Sequence, residues 1–262
     1  MLKKLFKYDF ADIYKVVSVF YLLTVVFAVI TRILFYYADS LVMQIISRVS
    51  MGIMISLMAN CFVNTLIRNW VRFKETIYGN ESYLTHTLPC SKNSIYVSKL
   101  IVSFISIITT IFIILISLII AFGNKKGLDA IWQFIINFAK SFNTNPVLFV
   151  ILFISIVVLE VFSALQGGFL GIILGHKKNH NKTAISVILG FLFYFAIQGI
   201  IVLVLYISGL FNANVMKIFT STNFFGFSEF FFVAVISIIA YLIINAALSL
   251  ASVKGLKHIN VE

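Results

Sequence analysis

Six runs of apolar residues, each long enough to cross a lipid bilayer as a helix, constrain the fold of this chain more than any other feature of its sequence. A helix needs about 20 apolar residues to cross the hydrocarbon core. The runs are rich in Ile, Phe, Val and Leu and lack the alternating period of an outer-membrane barrel strand. We therefore expect an all-α integral membrane fold, a six-helix transmembrane bundle with spans near residues 16–37, 49–67, 100–122, 147–174, 184–211 and 230–253.

The composition agrees with a membrane fold. Hydrophobic residues make up 61% of the chain and charged residues only 11%, whereas roughly a quarter of the residues in soluble domains are charged. The net charge of +11 comes from Lys and Arg residues dispersed between the apolar runs, not from one basic domain. We expect a single membrane domain over residues 1–262, with the lipid bilayer and no nucleic acid as a partner.

The distribution of Lys and Arg predicts how the chain is oriented in the membrane. Segments that share a side with the N-terminus hold 14 of the 20 basic residues, and the opposite segments hold the other 6. Because the cytoplasmic segments of membrane proteins carry the excess of Lys and Arg, both termini are expected in the cytoplasm.

Two segments outside the predicted spans have the pattern of amphipathic helices. Residues 1–15 place their apolar side chains on one face, which predicts an interfacial helix on the inner leaflet; a basic leader is the alternative. In the outer segment 123–146, Trp132 would anchor a short helix at the outer interface. The apolar faces are Leu2, Leu5, Phe6, Phe10 and Ile13 in the first segment, and Leu128, Ile131, Trp132, Ile135, Ile136, Ala139 and Phe142 in the second.

The sequence lacks the motifs of the common catalytic and nucleotide sites. Residues 123–127 have the wrong order for a phosphate-binding loop, so this chain is not expected to bind ATP itself. His176 and His180 are four apart but have no Glu between them, which favours a solvated loop over a metal site. Ser228, in a Gly-Phe-Ser sequence, has no base that could activate it. We expect no catalytic residue, no metal and no cofactor in this chain.

Glu160 is the one acidic residue deep in a predicted span. A charge at bilayer depth is costly, so Glu160 should face the bundle, a water-filled cavity or a partner, or be protonated. Small residues follow it at four-residue steps and would let another helix approach closely: Ser163, Gly167, Gly171 and Gly175. Two interpretations remain open, a polar group in a substrate path and a buried acid that fixes helix packing.

The longest polar segment, residues 68–98, carries a recognisable sequence. It lies on the inner side by the predicted orientation and is longer than a connection between two helices needs. Its stretch FKETIYGNESYLTHTLPCSK at residues 73–92, followed by Ser98-Lys99-Leu100, resembles the stretch after the second transmembrane helix of ABC-2 type transporter permeases of low-GC Gram-positive bacteria. The resemblance covers about thirty residues by motif and the whole chain by layout. Cys90 departs from the small apolar residue that is more usual in the family.

The resemblance implies a role and partners for the chain. It implies the membrane subunit of an ABC exporter in the bacterial plasma membrane, paired with a second permease chain and with separate ATPase subunits that hold ATP and Mg. Segment 68–98 would then contain the coupling helix that docks on the ATPase; a solvated loop is the alternative. The residues that match the family's coupling segment are Glu75, Glu81, Tyr83, Leu84, His86, Leu88 and Pro89.

The function expected from this resemblance is the export of a hydrophobic or amphipathic peptide, lipid or drug, with ATP hydrolysis in a partner chain. A non-transporting sensor or immunity subunit is the main alternative, because many such permeases serve in antimicrobial peptide resistance. A membrane-embedded enzyme is the other alternative, and it would need a polar constellation within the spans. Beyond Glu160 the spans offer mainly isolated polar residues, including Asn60, Asn64, Gln166, Gln198 and Asn245.

Overall fold

The computed structural model describes residues 2–87, 91–142, 144–178, 180–220 and 227–257, and every regular element in these residues is an α-helix. The helices, numbered in chain order, are α1 (Leu2–Tyr36), α2 (Leu41–Tyr78), α3 (Ser82–Thr87), α4 (Lys92–Phe122), α5 (Lys125–Ser141), α6 (Pro146–Gly175), α7 (Lys182–Phe211), α8 (Ala213–Thr220) and α9 (Phe227–Lys257). The three short helices α3, α5 and α8 lie between the long ones.

Six of these helices, α1, α2, α4, α6, α7 and α9, are long and apolar enough to cross a membrane. They coincide with the six runs found in the sequence. The prediction of an all-α membrane bundle is thereby confirmed, and the chain is a multi-pass membrane protein.

The second span is much longer than its apolar run. Helix α2 extends beyond residues 49–67 at both ends, because Arg48 and Arg68 end the apolar run without ending the helix. Ser40 caps its start, since the Ser40 hydroxyl accepts a hydrogen bond from the backbone N–H of Met43 at 3.3 Å. Most of segment 68–98 is therefore helical, and α2 is joined to α4 by residues 79–91, which contain α3. We call residues 79–91 the connecting segment.

The predicted N-terminal amphipathic segment, residues 1–15, is continuous with the first span. Helix α1 contains neither Gly nor Pro, so nothing in its sequence interrupts the helix. Ile13 of its apolar face is buried, and the partly buried Phe10 packs beside it in a cluster that includes Cys61 of α2 and Val102 of α4. This part of the segment therefore packs against α2 and α4, and the location of the segment at the inner leaflet stays a prediction.

Contacts between helices divide the described chain into two units, residues 2–129 and 130–257. In the first unit, α1, α2 and α4 pack against one another. Their core continues from the Ile13 cluster to a second apolar cluster that contains Ala28, Met54 and Ala121.

In the second unit, α6 packs against both α7 and α9, and α8 packs against α7 and α9. The core of this unit includes Leu170, Ile197, Ala240 and Leu248. Helix α5 crosses the division between the units and covers most of segment 123–146. Trp132 of α5 is 46% exposed.

Candidate functional site

Buried charges join the start of α1, the end of α2 and the start of α4. The Asp9 carboxylate is 1% exposed, and its Oδ1 accepts hydrogen bonds from Arg72 Nε at 3.1 Å and from Lys99 Nζ at 2.5 Å. Arg72 and Lys99 are themselves buried. One acid and two bases from three helices thus lie together inside the first unit.

Further charges extend this group toward α3. Arg68 pairs with Asp12 at 2.5 Å and lies 3.9 Å from Glu75. Arg72 also reaches Glu81 at 2.8 Å through Nη1, so a single guanidinium joins α1 to the connecting segment. We call the whole set the ionic cluster: Asp9, Asp12, Arg68, Arg72, Glu75, Glu81 and Lys99.

The ionic cluster is stabilised by mutual compensation of its charges. Moving a charge out of water costs several kcal/mol, and close pairing with hydrogen bonds offsets this cost. Asp9 Oδ2 and Arg68 Nε are buried and have no hydrogen-bond partner among the described residues. Asp9 therefore depends on the two contacts of its Oδ1. Removing one partner leaves a buried charge uncompensated, which is more damaging than removing a whole pair.

The structure brings two of the predicted coupling residues, Glu75 and Glu81, into the ionic cluster. Tyr83, in α3, is 70% exposed and does not belong to it. The side chains of Leu84 and His86, and the residues Leu88 and Pro89, lie outside the part of the chain that the structure describes.

Sequence reasoning missed Asp9, Arg72 and Lys99 as partners. The bases were counted only as signals of orientation, and Asp9 was given no role. A signal was nevertheless present, because Arg68 and Arg72 are one helical turn apart and face the same side of α2. Asp9 and Asp12 are three residues apart, which likewise places them on one side of α1.

Polar side chains continue from the ionic cluster along the inside of the first unit. Asn69 Nδ2 donates a hydrogen bond to Ser106 Oγ at 2.8 Å. Farther along, Thr110 Oγ1 lies 2.9 Å from Thr65 Oγ1 and 2.8 Å from the Tyr21 hydroxyl. Hydroxyl and amide groups that bond to each other across helices can be accommodated inside a membrane bundle. This seam ties α1, α2 and α4 together beyond the ionic cluster.

Glu160 belongs to a second polar group, in the middle of the second unit. Its Oε1 accepts a hydrogen bond from Gln198 Nε2 at 3.0 Å. The Oε1 of Gln198 in turn accepts one from the Tyr241 hydroxyl at 3.3 Å. Glu160 and Gln198 are partly exposed, and Tyr241 is buried. The three residues come from the middles of α6, α7 and α9.

A third polar group lies farther along α6. Gln166 Nε2 donates a hydrogen bond to Asn245 Oδ1 at 3.2 Å, and Gln166 Oε1 accepts one from Ser249 Oγ at 3.0 Å. Gln166 and Asn245 are both buried. The expectation that the polar residues of the spans are isolated is therefore wrong for Gln166, Gln198 and Asn245. The side-chain amides of Asn60 and Asn64 bond to backbone carbonyls within α2.

The stripe of small residues on α6 faces α7. A Cβ added to Gly171 would lie 2.6 Å from the backbone N of Gly190, and one added to Gly175 would overlap Ser186. The backbones of α6 and α7 are thus in direct contact at these two positions. Any side chain larger than the hydrogen of glycine would prevent this close approach.

The contact is looser at the other end of the stripe. A Cβ on Gly167 would make ordinary contacts, the nearest being Phe193 Cβ at 3.5 Å. Ser163 is buried and donates its hydroxyl to the backbone carbonyl of Glu160 at 2.7 Å. The Ser163 hydroxyl therefore does not bond to the Glu160 carboxyl, which accepts its hydrogen bond from Gln198.

His176 terminates α6. Its Nδ1 lies 2.9 Å from the backbone O of Ile172 and 3.3 Å from Ser186 Oγ. Among the described residues, no group of three or more His, Cys, Asp and Glu side chains could hold a metal ion.

Comparisons with protein-family models, with curated proteins and with solved structures give no match for this chain. Its fold class and its polar groups therefore rest on its own sequence and structure.

Proposed function

We propose that the chain is the membrane-spanning subunit of an ABC exporter of the bacterial plasma membrane. It would move a hydrophobic or amphipathic substrate, using ATP hydrolysed by separate ATPase subunits, and would work beside a second permease chain. Both termini would be cytoplasmic, as the excess of Lys and Arg on one side predicts. The sequence of residues 73–92 is the basis for assigning this family.

The observation that carries the proposal is the bond between Arg72 and Glu81. An exporter subunit needs a firm link between the surface that meets the ATPase and the helices that move. Glu81, in the connecting segment, is bonded to Arg72 of α2, which also holds Asp9 of α1. Lys99 of α4 is bonded to the same Asp9 oxygen. A force on the connecting segment would therefore act on three spans together.

The proposed mechanism uses this linkage to change helix packing. Closure of the ATPase subunits would displace the connecting segment, and the displacement would favour a second arrangement of the spans that opens toward the outside. The chain would contribute the conduit and the coupling surface. ATP and Mg would be held by the partner.

The test is isolation of the chain from its native membranes. We expect an affinity-tagged chain in mild detergent to bring down an ATPase subunit that mass spectrometry identifies. Leu84→Asp and Leu88→Asp should weaken this association and the ATPase stimulation, because a charge in an apolar contact is poorly tolerated. Leu128→Asp is the matched control, since it makes the same change in an exposed residue of α5.

A chain that is isolated without any ATPase would contradict the exporter assignment. A complex that is unaffected by both substitutions in the connecting segment would contradict the coupling role alone. The alternative, a non-transporting sensor or immunity subunit, predicts an ATPase complex that moves no substrate in inverted membrane vesicles. Vesicle transport of candidate peptides, lipids and drugs therefore separates the two functions.

A further inference from the structure

The polar group around Glu160 lies at a depth where lipid surrounds a membrane protein. Glu160, Gln198 and Tyr241 each occupy the middle of a helix that is long enough to span the bilayer. An ionisable side chain at this depth is costly and is usually kept for a function or for a partner. The polar group is therefore a candidate site independent of the ionic cluster.

Glu160 accepts a hydrogen bond from an amide that is itself held by a neighbouring helix. The Tyr241 hydroxyl donates to Gln198 Oε1, which turns the amide NH₂ of Gln198 toward Glu160. A carboxylate only accepts hydrogen bonds, and it meets a donor here.

No positive charge among the described side chains of the second unit compensates Glu160. Among the described residues Glu160 forms no ion pair, and this unit contains no Arg. Its lysines with described side chains lie near or beyond the helix ends, and those that follow α6 or lie on α7 and α9 are about 20 Å or more along the helix axes from the mid-helix group. These lysines are Lys140, Lys177, Lys178, Lys182, Lys217 and Lys254.

The surroundings of the carboxyl are apolar. The core of this unit contains Ile197 beside Gln198, with Ile156, Leu159 and Phe193 packed against that core. Glu160 itself remains partly exposed. One accessible acid among aliphatic and aromatic side chains is complementary to a ligand with one positive group and an apolar body.

We propose that Glu160 and Gln198 form an intramembrane binding site for an amphipathic organic cation. Glu160 supplies the negative charge, Gln198 holds the carboxylate, and Tyr241 orients the amide of Gln198. As an assignment of substrate class this rests on the proposed exporter function. The binding itself is a property of the chain alone and is measured without an ATPase.

The test uses the purified chain in nanodiscs of zwitterionic lipid. Tetraphenylphosphonium is the probe, and tetraphenylborate, an anion of the same shape, is its matched control. Equilibrium dialysis with empty nanodiscs corrects for partitioning into lipid. We expect saturable binding of the cation only, weakened about tenfold or more by Glu160→Gln, which keeps the size of the side chain. Glu229→Gln removes an acid that is already paired with Lys217 and should leave binding unchanged.

Three results would overturn the proposal. These are no saturable binding of the cation, equal binding of cation and anion to the wild-type chain, and equal binding of the cation to wild type and Glu160→Gln. The first two results are obtained with the wild-type chain alone, so they do not depend on whether the Glu160→Gln variant folds. Cation binding without a co-isolated ATPase would refute only the exporter function.

Discussion

The Asp9 carboxylate and the Lys99 ammonium form a direct ion pair at 2.5 Å, although 90 positions separate them in the sequence. Both side chains are buried, so neither charge is solvated by bulk water. The pair fixes the start of α1 beside the start of α4, and Arg72 adds the end of α2. The stability of the first unit should therefore depend on Asp9 far more than on other acids of the chain.

Replacing Asp9 by Asn should destabilise the protein strongly. The substitution leaves Arg72 and Lys99 buried without their shared anion, and breaking a buried pair costs about 3–5 kcal/mol. Titration with SDS in mixed micelles would measure the free energy of unfolding. Asp39→Asn, at an exposed position after α1, should change it by less than about 0.5 kcal/mol.

A double variant tests the cause of this loss. Asp9→Asn combined with Lys99→Met removes both the anion and one buried cation, so it should be more stable than Asp9→Asn alone. If the double variant is instead less stable by the full sum of the two single losses, compensation of charge is not what Asp9 provides.

Arg72→Lys should loosen the connecting segment while the charge is retained. Arg72 uses Nε for Asp9 and Nη1 for Glu81, and a Lys ammonium cannot reach both acids in this way. We expect backbone amides of α3 to exchange their hydrogens several-fold faster, measured by mass spectrometry. Arg48→Lys, an exposed change on the same helix, should leave this exchange as it is. Unchanged exchange in Arg72→Lys would show that Glu81 does not anchor the segment.

Gly171→Ala should separate α6 from α7. The new methyl group would lie 2.6 Å from the backbone N of Gly190, a contact that only a shift of one helix can relieve. Overpacking of this kind costs about 1–3 kcal/mol. Gly199→Ala is the control on α7, because nothing lies within 4 Å of its Cβ. There the better helix propensity of Ala should be neutral or stabilising by about 0.5–1 kcal/mol. Equal stability of the two variants would refute the close approach.

Gln166 and Asn245 should be energetically coupled. Their amides bond at 3.2 Å inside the second unit. Single replacements by Leu and the double replacement form a mutant cycle, with unfolding free energies measured in bicelles. Hydrogen bonds between membrane helices average about 0.6 kcal/mol and reach about 1.7 kcal/mol, so a coupling within this range is expected. Additive losses would mean that the bond contributes nothing to stability.

The fold class could be predicted from the sequence because it depends on a property of single segments. An apolar run of about 20 residues has few structural options in a bilayer, so all six spans were found. The ends of α2 were not, since hydropathy falls at Arg48 and Arg68 while helix formation continues. Charge ends a favourable membrane segment but does not end a helix.

The polar groups could not be predicted in the same way because they depend on which helices are neighbours. Glu160 was recognised from its depth alone, but its partner Gln198 lies on another helix. Asp9 was overlooked because its partners Arg72 and Lys99 are distant in the sequence. A usable signal was present only where spacing along one helix recurred on a second helix, as with Asp9 and Asp12 opposite Arg68 and Arg72, and it was not used.

The distance along the chain between Asp9 and Lys99 has a consequence for biogenesis. Synthesis at roughly 5–20 residues per second separates the appearance of these two residues by about 5–20 s. Asp9 and Arg72 are both synthesised before Lys99. The insertion machinery must therefore release or shelter α1 and α2 while the Asp9 carboxylate is paired with Arg72 but not yet with Lys99. Nascent chains that end before Lys99 should therefore be held longer by membrane chaperones than chains that include it.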